Sequence, residues 1–232
     1  NIFCNDDIDT EELSKEEAEE FHSHVARLLF IAKRARPDIQ TAVAYLCTRV
    51  QSPNTYDKRK LGRVMRYLRG TKYLPLILGW DGTGSVYWHV DASFAVHHDM
   101  KSHTGAGASL GVGALMSNSR KQSCNTTSST TAEVYGVSDS LPFIIWMDNF
   151  LKEQKQSVNG VPIGKQTTLF QDNEAAAKME TYGKVSCTKR TRHLDIKYFY
   201  ITDQVKNGLV RIEHCPTKQM IADFWKIGRA HV

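Results

Sequence analysis

"SVYWHVDASFAV", residues 85–96, alternates an apolar side (Val86, Trp88, Val90, Ala92, Phe94) with a semi-polar one (Tyr87, His89, Asp91, Ser93). A period of two carried by aromatic and β-branched residues predicts a strand. An aspartate in so apolar a strand is costly to bury unless it is paired, hydrogen-bonded or bound to a cation. What Asp91 faces therefore bears on both fold and function.

Working outward, "LGWDGTGS", residues 78–85, marks a division, with helical periodicity before it and strands after. Upstream, "LSKEEAEEF" offers Ser14 as an N-cap and Glu17 three residues later, the pattern of a capping box. Phe21, Val25, Leu28, Leu29 and Ala32 then follow a helical period. After "RPD" a second helix is expected with Ile39, Val43, Leu46 and Val50 on one stripe. A third, from about Tyr56 to Arg69, is expected to turn Leu61, Val64, Met65 and Leu68 inward. Its other face carries Arg59, Arg63 and Arg66, with Lys60 and Arg69 beside them. Spacings of four and three residues align those guanidinium groups along one side. Each arginine alone fits a solvated surface; as a set they fit a phosphate backbone equally well.

Downstream, "TGAGASLG" and "VGALMSNSRKQS" predict antiparallel neighbours joined by a tight turn near Gly111 to Gly113. A helix is expected from near Ser129, capped by Ser129 or Thr130, to about Gln154, kinked or split at Pro142. "VNGVPIGK" reads as a loop and "QTTLFQD" as a short strand ending in Asp172. "RTRHLDIKYFYITDQVKNG" reads as a helix closed by Gly208, "LVRIEHC" as a strand and "TKQMIADFW" as a last short helix.

The 232 residues, 41% hydrophobic and 24% charged, suit one large domain or two small ones. No run of about 18 apolar residues is present, so nothing is expected to span a membrane. The first thirty residues are acidic and helical in pattern, unlike a secretory signal. Cys4, Cys47, Cys124, Cys187 and Cys215 are scattered without a CxxC pair. That set fits reduced thiols in a cytosolic or nuclear setting, not a disulfide framework or a zinc site. The net charge of +5 permits a polyanionic partner without requiring one.

Four acids sit beside apolar runs: Asp91 late in the first strand, Glu133 early in a helix, Asp172 at a strand end and Asp223 in the last short helix. Singly they have plain explanations, Glu133 as a helix-dipole partner and Asp172 as an N-cap. Together on a mixed sheet they suggest convergence on a cation, because crowded carboxylates repel unless a divalent metal neutralises them. A hard cation with oxygen ligands is the matching chemistry.

The order strand-Asp, hairpin, helix-Glu, strand-Asp, helix-Asp resembles the ribonuclease H fold. The strings "VDASFA", "DMKSHTGA", "SSTTAEVYG", "QDNEAA", "KRTRHLDIKYFYI" and "CPTKQMIADFW" are similar to the ribonuclease H region of copia-type retrotransposon Pol polyproteins. "ARLLFIAKRARPDIQTAVAYL" and "LGRVMRYLRGTKYLPLIL" resemble the segment that links the reverse transcriptase to its nuclease. The likeness runs from about Leu13 to Trp225. The family's polymerase centre, a pair of aspartates on a hairpin, has no counterpart here.

The resemblance implies an α/β, ribonuclease H-like mixed five-stranded sheet flanked by helices over 81–226, preceded by a helical thumb- or connection-like segment over 1–80. Residues 227–232 look like a translated sequencing adapter, a non-native tail outside the fold. It further implies that Asp91, Glu133, Asp172 and Asp223 are the catalytic and metal-binding acids. Where the family usually has two glutamates in the helix motif, Thr131 stands at the first and Glu133 at the second. Two Mg²⁺ ions, replaceable by Mn²⁺, would sit roughly 3.5–4 Å apart. The substrate would be the RNA strand of an RNA–DNA hybrid, the partner the rest of the Pol polyprotein, and the setting the cytoplasm, in a virus-like particle, or the nucleus. Lys189, Arg190, Arg192 and His193 would join Arg59, Arg63 and Arg66 in touching nucleic acid, although His193 equally fits a residue that caps and packs its helix. His214, nine residues before Asp223, falls near where related nucleases carry a histidine aiding product release.

Other residues carry less. His97, His98 and His103 in "VHHDMKSH" read as a solvated loop, not a zinc site. Trp88, Trp146 and Trp225 read as core. Two function classes stand: a metal-dependent endonuclease, and a non-catalytic nucleic-acid-binding or structural remnant of a decayed element.

Overall fold

A computed structural model describes residues 11–183 and 195–227. The chain divides into two compact units, Asn1–Ile77 and Leu78–Val232.

In the first unit, α1 (Lys15–Arg34) opens with the expected capping box: the Glu17 amide donates to Ser14 Oγ and the Ser14 amide to Glu17 Oε2. Phe21, Val25, Leu28 and Ala32 are buried along its inner stripe. A short 3₁₀ turn, Pro37–Ile39, leads into α2 (Gln40–Cys47), which stops before Val50, so that residue does not extend the stripe. Asn54 caps α3 (Thr55–Gly70), and Asp57 reaches back to the Asn54 amide at 3.2 Å. The inward arc of α3 holds Asp57, Lys60, Leu61 and Val64, whereas Met65 is 43% exposed. Two expectations are corrected by that rotation, Met65 inward and Lys60 outward. Lys60 is accommodated because its Nζ donates to Tyr45 Oη at 2.7 Å and lies 4.1 and 4.5 Å from the ring centres of Tyr45 and Tyr56. An ammonium between two aromatic faces keeps much of the stabilisation it loses with water.

The second unit is built on a mixed five-stranded sheet. Its strands are β1 (Ser85–Ser93), β2 (His103–Ser109), β3 (Met116–Lys121), β4 (Gln166–Gln171) and β5 (Arg211–His214), in spatial order β3-β2-β1-β4-β5. β2 and β3 are antiparallel neighbours as expected, and β4 and β5 run parallel to β1. A mixed five-stranded sheet flanked by helices is the architecture expected from the sequence. The alternation in β1 decides the layering: Val86, Trp88 and Val90 enter the core with Ala106, Ala108 and Leu169, while Tyr87, His89 and Asp91 take the other face.

That core is closed by α4 (Ser129–Gln154), α5 (Glu174–Tyr182) and α6 (Asp195–Lys206), through Val134, Val137, Leu141, Ile144, Ala176 and Ile201 among others. The cap of α4 is Ser128, whose Oγ accepts from the Thr131 amide at 3.1 Å, not Ser129 or Thr130. Nor does Pro142 split α4, which is assigned as one helix throughout. Leu141, Ile144 and Met147 stay buried on either side of the proline, so packing outweighs the lost backbone bond. The stretch 158–165, read as a loop, instead contributes to a small antiparallel hairpin in which Ser157–Val158 pairs with Val161–Pro162. Trp88 and Trp225 are core residues, but Trp146 is 57% exposed and stacks on Phe150 instead. Ile227, set outside the fold on sequence grounds, is only 2% exposed and is packed.

Candidate metal centre

Asp91 lies two residues before the end of β1 and is 1% exposed. Glu133, in the first turns of α4, is 5% exposed, too buried for a solvated partner of the helix dipole. Asp172 directly follows β4, and its plain role is taken by its neighbour: Asn173 caps α5, its Oδ1 accepting from the Ala175 and Ala176 amides. The carboxylate of Asp172 is thereby left to the site. One carboxylate oxygen from each of Asp91, Glu133 and Asp172 lies within 4.8 Å of the others, the sole such grouping among the described residues.

The fourth acid arrives from a different element. Asp223 sits in the 3₁₀ segment Ile221–Trp225, and Lys226 Nζ bridges it to the cluster, 2.5 Å from Asp223 Oδ1 and 2.6 Å from Asp91 Oδ2. Three of the acids singled out in the sequence thus form the grouping, and Asp223 stands beside it, joined to Asp91 through Lys226. Lys226 is the participant that sequence reasoning missed. Its position three residues after Asp223 was visible, but nothing local marked its side chain as turning inward.

The electrostatics are those of an under-neutralised pocket. Burial, then the Asp223 side chain, push the Asp91 carboxyl up to about 6, even though Lys226 pulls the other way. Burial, then the charges of Asp91 and Asp172, push Glu133 well above the usual carboxylate range. For Lys226, burial alone would lower the ammonium, but Asp91 and Asp223 outweigh it and the group is held more firmly protonated. Glu133 Oε2 is buried with no hydrogen-bond partner among the described residues. Three crowded oxygens, one lacking any donor, form an acceptor set suited to a hard divalent cation. The residues present fit such an ion.

The remaining predicted residues are placed as follows. Arg59, Arg63 and Arg66 are all exposed on α3. Lys189, Arg190, Arg192 and His193 lie outside the described residues. His214 ends β5, exposed, in register with Gln171, the residue before Asp172. The histidine loop is corrected in part. His103 opens β2, fully buried, with His97 Nε2 3.1 Å from its Nδ1 and Ser119 Oγ 2.8 Å from its Nε2. Burial lowers His97 to about 4 and His103 to about 3, so both rings are neutral near pH 7.

No family model matches the chain. It is 29% identical over 205 residues to the retrovirus-related Pol polyprotein from transposon RE1 of Arabidopsis thaliana, covering 88% of this chain and 13% of that protein. It is 27% identical over 209 residues to the corresponding polyprotein from transposon TNT 1-94 of Nicotiana tabacum, covering 88% of this chain and 15% of the relative. Over most of its length the chain is thus similar to retrovirus-related Pol polyproteins from plant transposons. It spans about one-seventh of the length of these relatives. Among solved structures it is similar to LC11-RNase H1, with a TM-score of 0.46, 14% identity, and 62% of this chain and 93% of that one covered. It is also similar to a foamy viral protease-reverse transcriptase in complex with an RNA/DNA hybrid, with a TM-score of 0.47, 8% identity, and 93% of this chain and 26% of that one covered. No helix among the described residues is long and apolar enough to cross a membrane.

Proposed function

We propose that this homologue of copia-type Pol polyproteins is a ribonuclease H-type endonuclease that hydrolyses the RNA strand of RNA–DNA hybrids. The observation that carries the reading is the mutual approach, within 4.8 Å, of carboxylate oxygens from Asp91, Glu133 and Asp172, two of them almost wholly buried. Such crowding is unfavourable unless a cation is held there.

Asp91, Glu133 and Asp172 would hold divalent ions, Mg²⁺ or Mn²⁺, with Asp223 joining once Lys226 withdraws its ammonium. Ions bound there would supply water activation and charge neutralisation at the leaving oxygen. The protein's own contribution is placement. β1 carries one carboxylate, the second directly follows its parallel neighbour β4, and α4 fixes the third. Their burial excludes the water that would otherwise screen them. Arg59, Arg63 and Arg66, with Lys189, Arg190, Arg192 and His193, would bind phosphates without reading sequence. Choice of the RNA strand would rest on its 2′-hydroxyl. His214 would assist product departure. The partner would be the remainder of a Pol polyprotein, and the setting a cytoplasmic virus-like particle or the nucleus.

A second reading, a non-catalytic nucleic-acid-binding remnant, draws on Lys226, whose ammonium already neutralises part of the cluster. Strand-labelled hybrid incubated with Mg²⁺ separates the two. The nuclease reading expects the RNA strand shortened while the DNA strand and free single-stranded RNA stay intact. Folded protein that binds hybrid and leaves both strands whole would establish the remnant.

A further inference from the structure

The glycines of β2, which the metal chemistry leaves unexplained, point to a seat that sets the position of Asp223. Gly105 and Gly107 pair with Asp91 and His89 across β1, so they lie on the same face as Asp91, away from the α4 core. A Cβ at Gly105 would fall 2.6 Å from the Ala222 carbonyl oxygen and 2.7 Å from the Lys226 amide nitrogen. A Cβ at Gly107 would collide with the six-membered ring of Trp225, 2.5 Å from Cη2. All three distances are well inside van der Waals contact, so only a bare backbone admits this packing.

Trp225 is 5% exposed and is the last residue of the 3₁₀ segment, two positions after Asp223. The Asp223 amide donates to the Met220 carbonyl at 3.2 Å, which joins the acid to the residue that precedes the segment. The segment is a single short 3₁₀ turn, and a large buried ring two residues from the acid constrains where that turn sits on the sheet. We propose that Trp225, seated on Gly105 and Gly107, is the positioning residue that places Asp223 against Asp91 and so completes the divalent-cation site. Phe224, its neighbour, is 57% exposed, so its side chain does not enter the seat to the same extent. The inference rests on the metal reading given above and adds the residues that assemble its fourth ligand.

The test uses the full chain in four forms: wild type, Trp225→Leu, Gly107→Ala and Phe224→Leu. Hydrogen exchange of the 221–226 backbone reports the seat without metal, and Mn²⁺ titration followed by electron paramagnetic resonance reports the site. Trp225→Leu and Gly107→Ala should both speed exchange in 221–226 and weaken Mn²⁺ binding by about 10- to 100-fold, the usual cost of losing support behind a ligand. Phe224→Leu should leave both readouts near wild type. Exchange unchanged in Trp225→Leu overturns the seat. Faster exchange with unchanged Mn²⁺ affinity overturns its role in placing Asp223, as does an equal effect from Phe224→Leu. Wild-type protein that binds no Mn²⁺ overturns the metal reading itself, an outcome distinct from these, and this inference falls with it.

Discussion

Lys226 Nζ lies 2.6 Å from Asp91 Oδ2, so an ammonium of the chain itself stands against the carboxylate that a divalent ion would need. The same nitrogen reaches Asp223, and the lysine is 15% exposed at its side chain. A pocket that draws a cation inward in this way is one built for positive charge. It follows that Lys226 and a metal ion compete.

Replacing Lys226 with Ala should therefore tighten Mg²⁺ or Mn²⁺ binding. Even at an effective dielectric of about 20, a unit charge about 4 Å away is worth roughly 4 kcal/mol, so a gain of at least about tenfold is expected. Calorimetric titration of the two proteins measures it. Equal affinities would mean that the ion binds elsewhere.

Asp91→Asn should change how stability depends on pH. The Asp91 carboxyl is raised to about 6 from an ordinary 3.8, so the folded state holds its proton more tightly than the unfolded state. Its favourable contribution is present at low pH and is lost as pH rises from about 4 through about 6. His89, His97 and His103 oppose it, being depressed to about 4, about 4 and about 3, which costs stability as pH falls below 6.5. The diagnostic quantity is hence the difference between variant and wild type without metal. Asp91→Asn should be the more stable above pH 6, with the gain fading toward pH 4. Denaturant titrations showing a pH-independent difference would refute the assigned shift.

The arginine stripe of α3 makes a separate prediction. Each phosphate contact releases counterions, so log K falls with log salt by roughly 0.7–0.9 per contact. Arg59→Ala, Arg63→Ala and Arg66→Ala combined should weaken hybrid binding alike for every sequence and flatten the salt slope by about two to three units. Hybrid already bound should be cut at nearly the wild-type rate. An unchanged slope would return the stripe to an ordinary solvated face.

Stability should distinguish two neighbours on α4. Ile144 is fully buried in the core and Trp146 is largely exposed. Ile144→Ala should cost about 2–5 kcal/mol, whereas Trp146→Ala should cost under about 1 kcal/mol, as surface changes usually do. Urea midpoints at constant slope would report both.

Much of this was legible in the chain. The period of two in residues 86–90 gave the layering of β1, because burial on one face writes itself into alternation. The acids could be picked out because each lies beside an apolar run and because the order of the motifs around them resembles a known family. What could not be read depends on rotation or on distant partners. Met65 and Lys60 are a few residues apart on α3, and a small turn of the helix exchanged their roles. Lys60 has no apolar character to signal burial; Tyr45 and Tyr56 supply the reason from elsewhere. Trp146 looked like core by type alone, yet its neighbours Ile144 and Met147 face the sheet. His103 seemed to belong to a loop, but the strand begins at that residue. Lys226 gave no sign at all, since only the folded turn aims it at Asp91.

The proposed activity, RNA cleavage at Asp91, Glu133, Asp172 and Asp223 through bound divalent metal, can be tested at the scissile strand itself. The most direct measurement is cleavage of end-labelled RNA in an RNA–DNA hybrid, with Mg²⁺ and with chelator, by wild type and by Asp91→Asn. RNA fragments are expected from wild type with Mg²⁺ alone, and none from Asp91→Asn even though it binds the hybrid at least as well, having lost a charge that repels phosphate. Cutting by Asp91→Asn at the wild-type rate, or cutting by wild type undiminished in chelator, would contradict it.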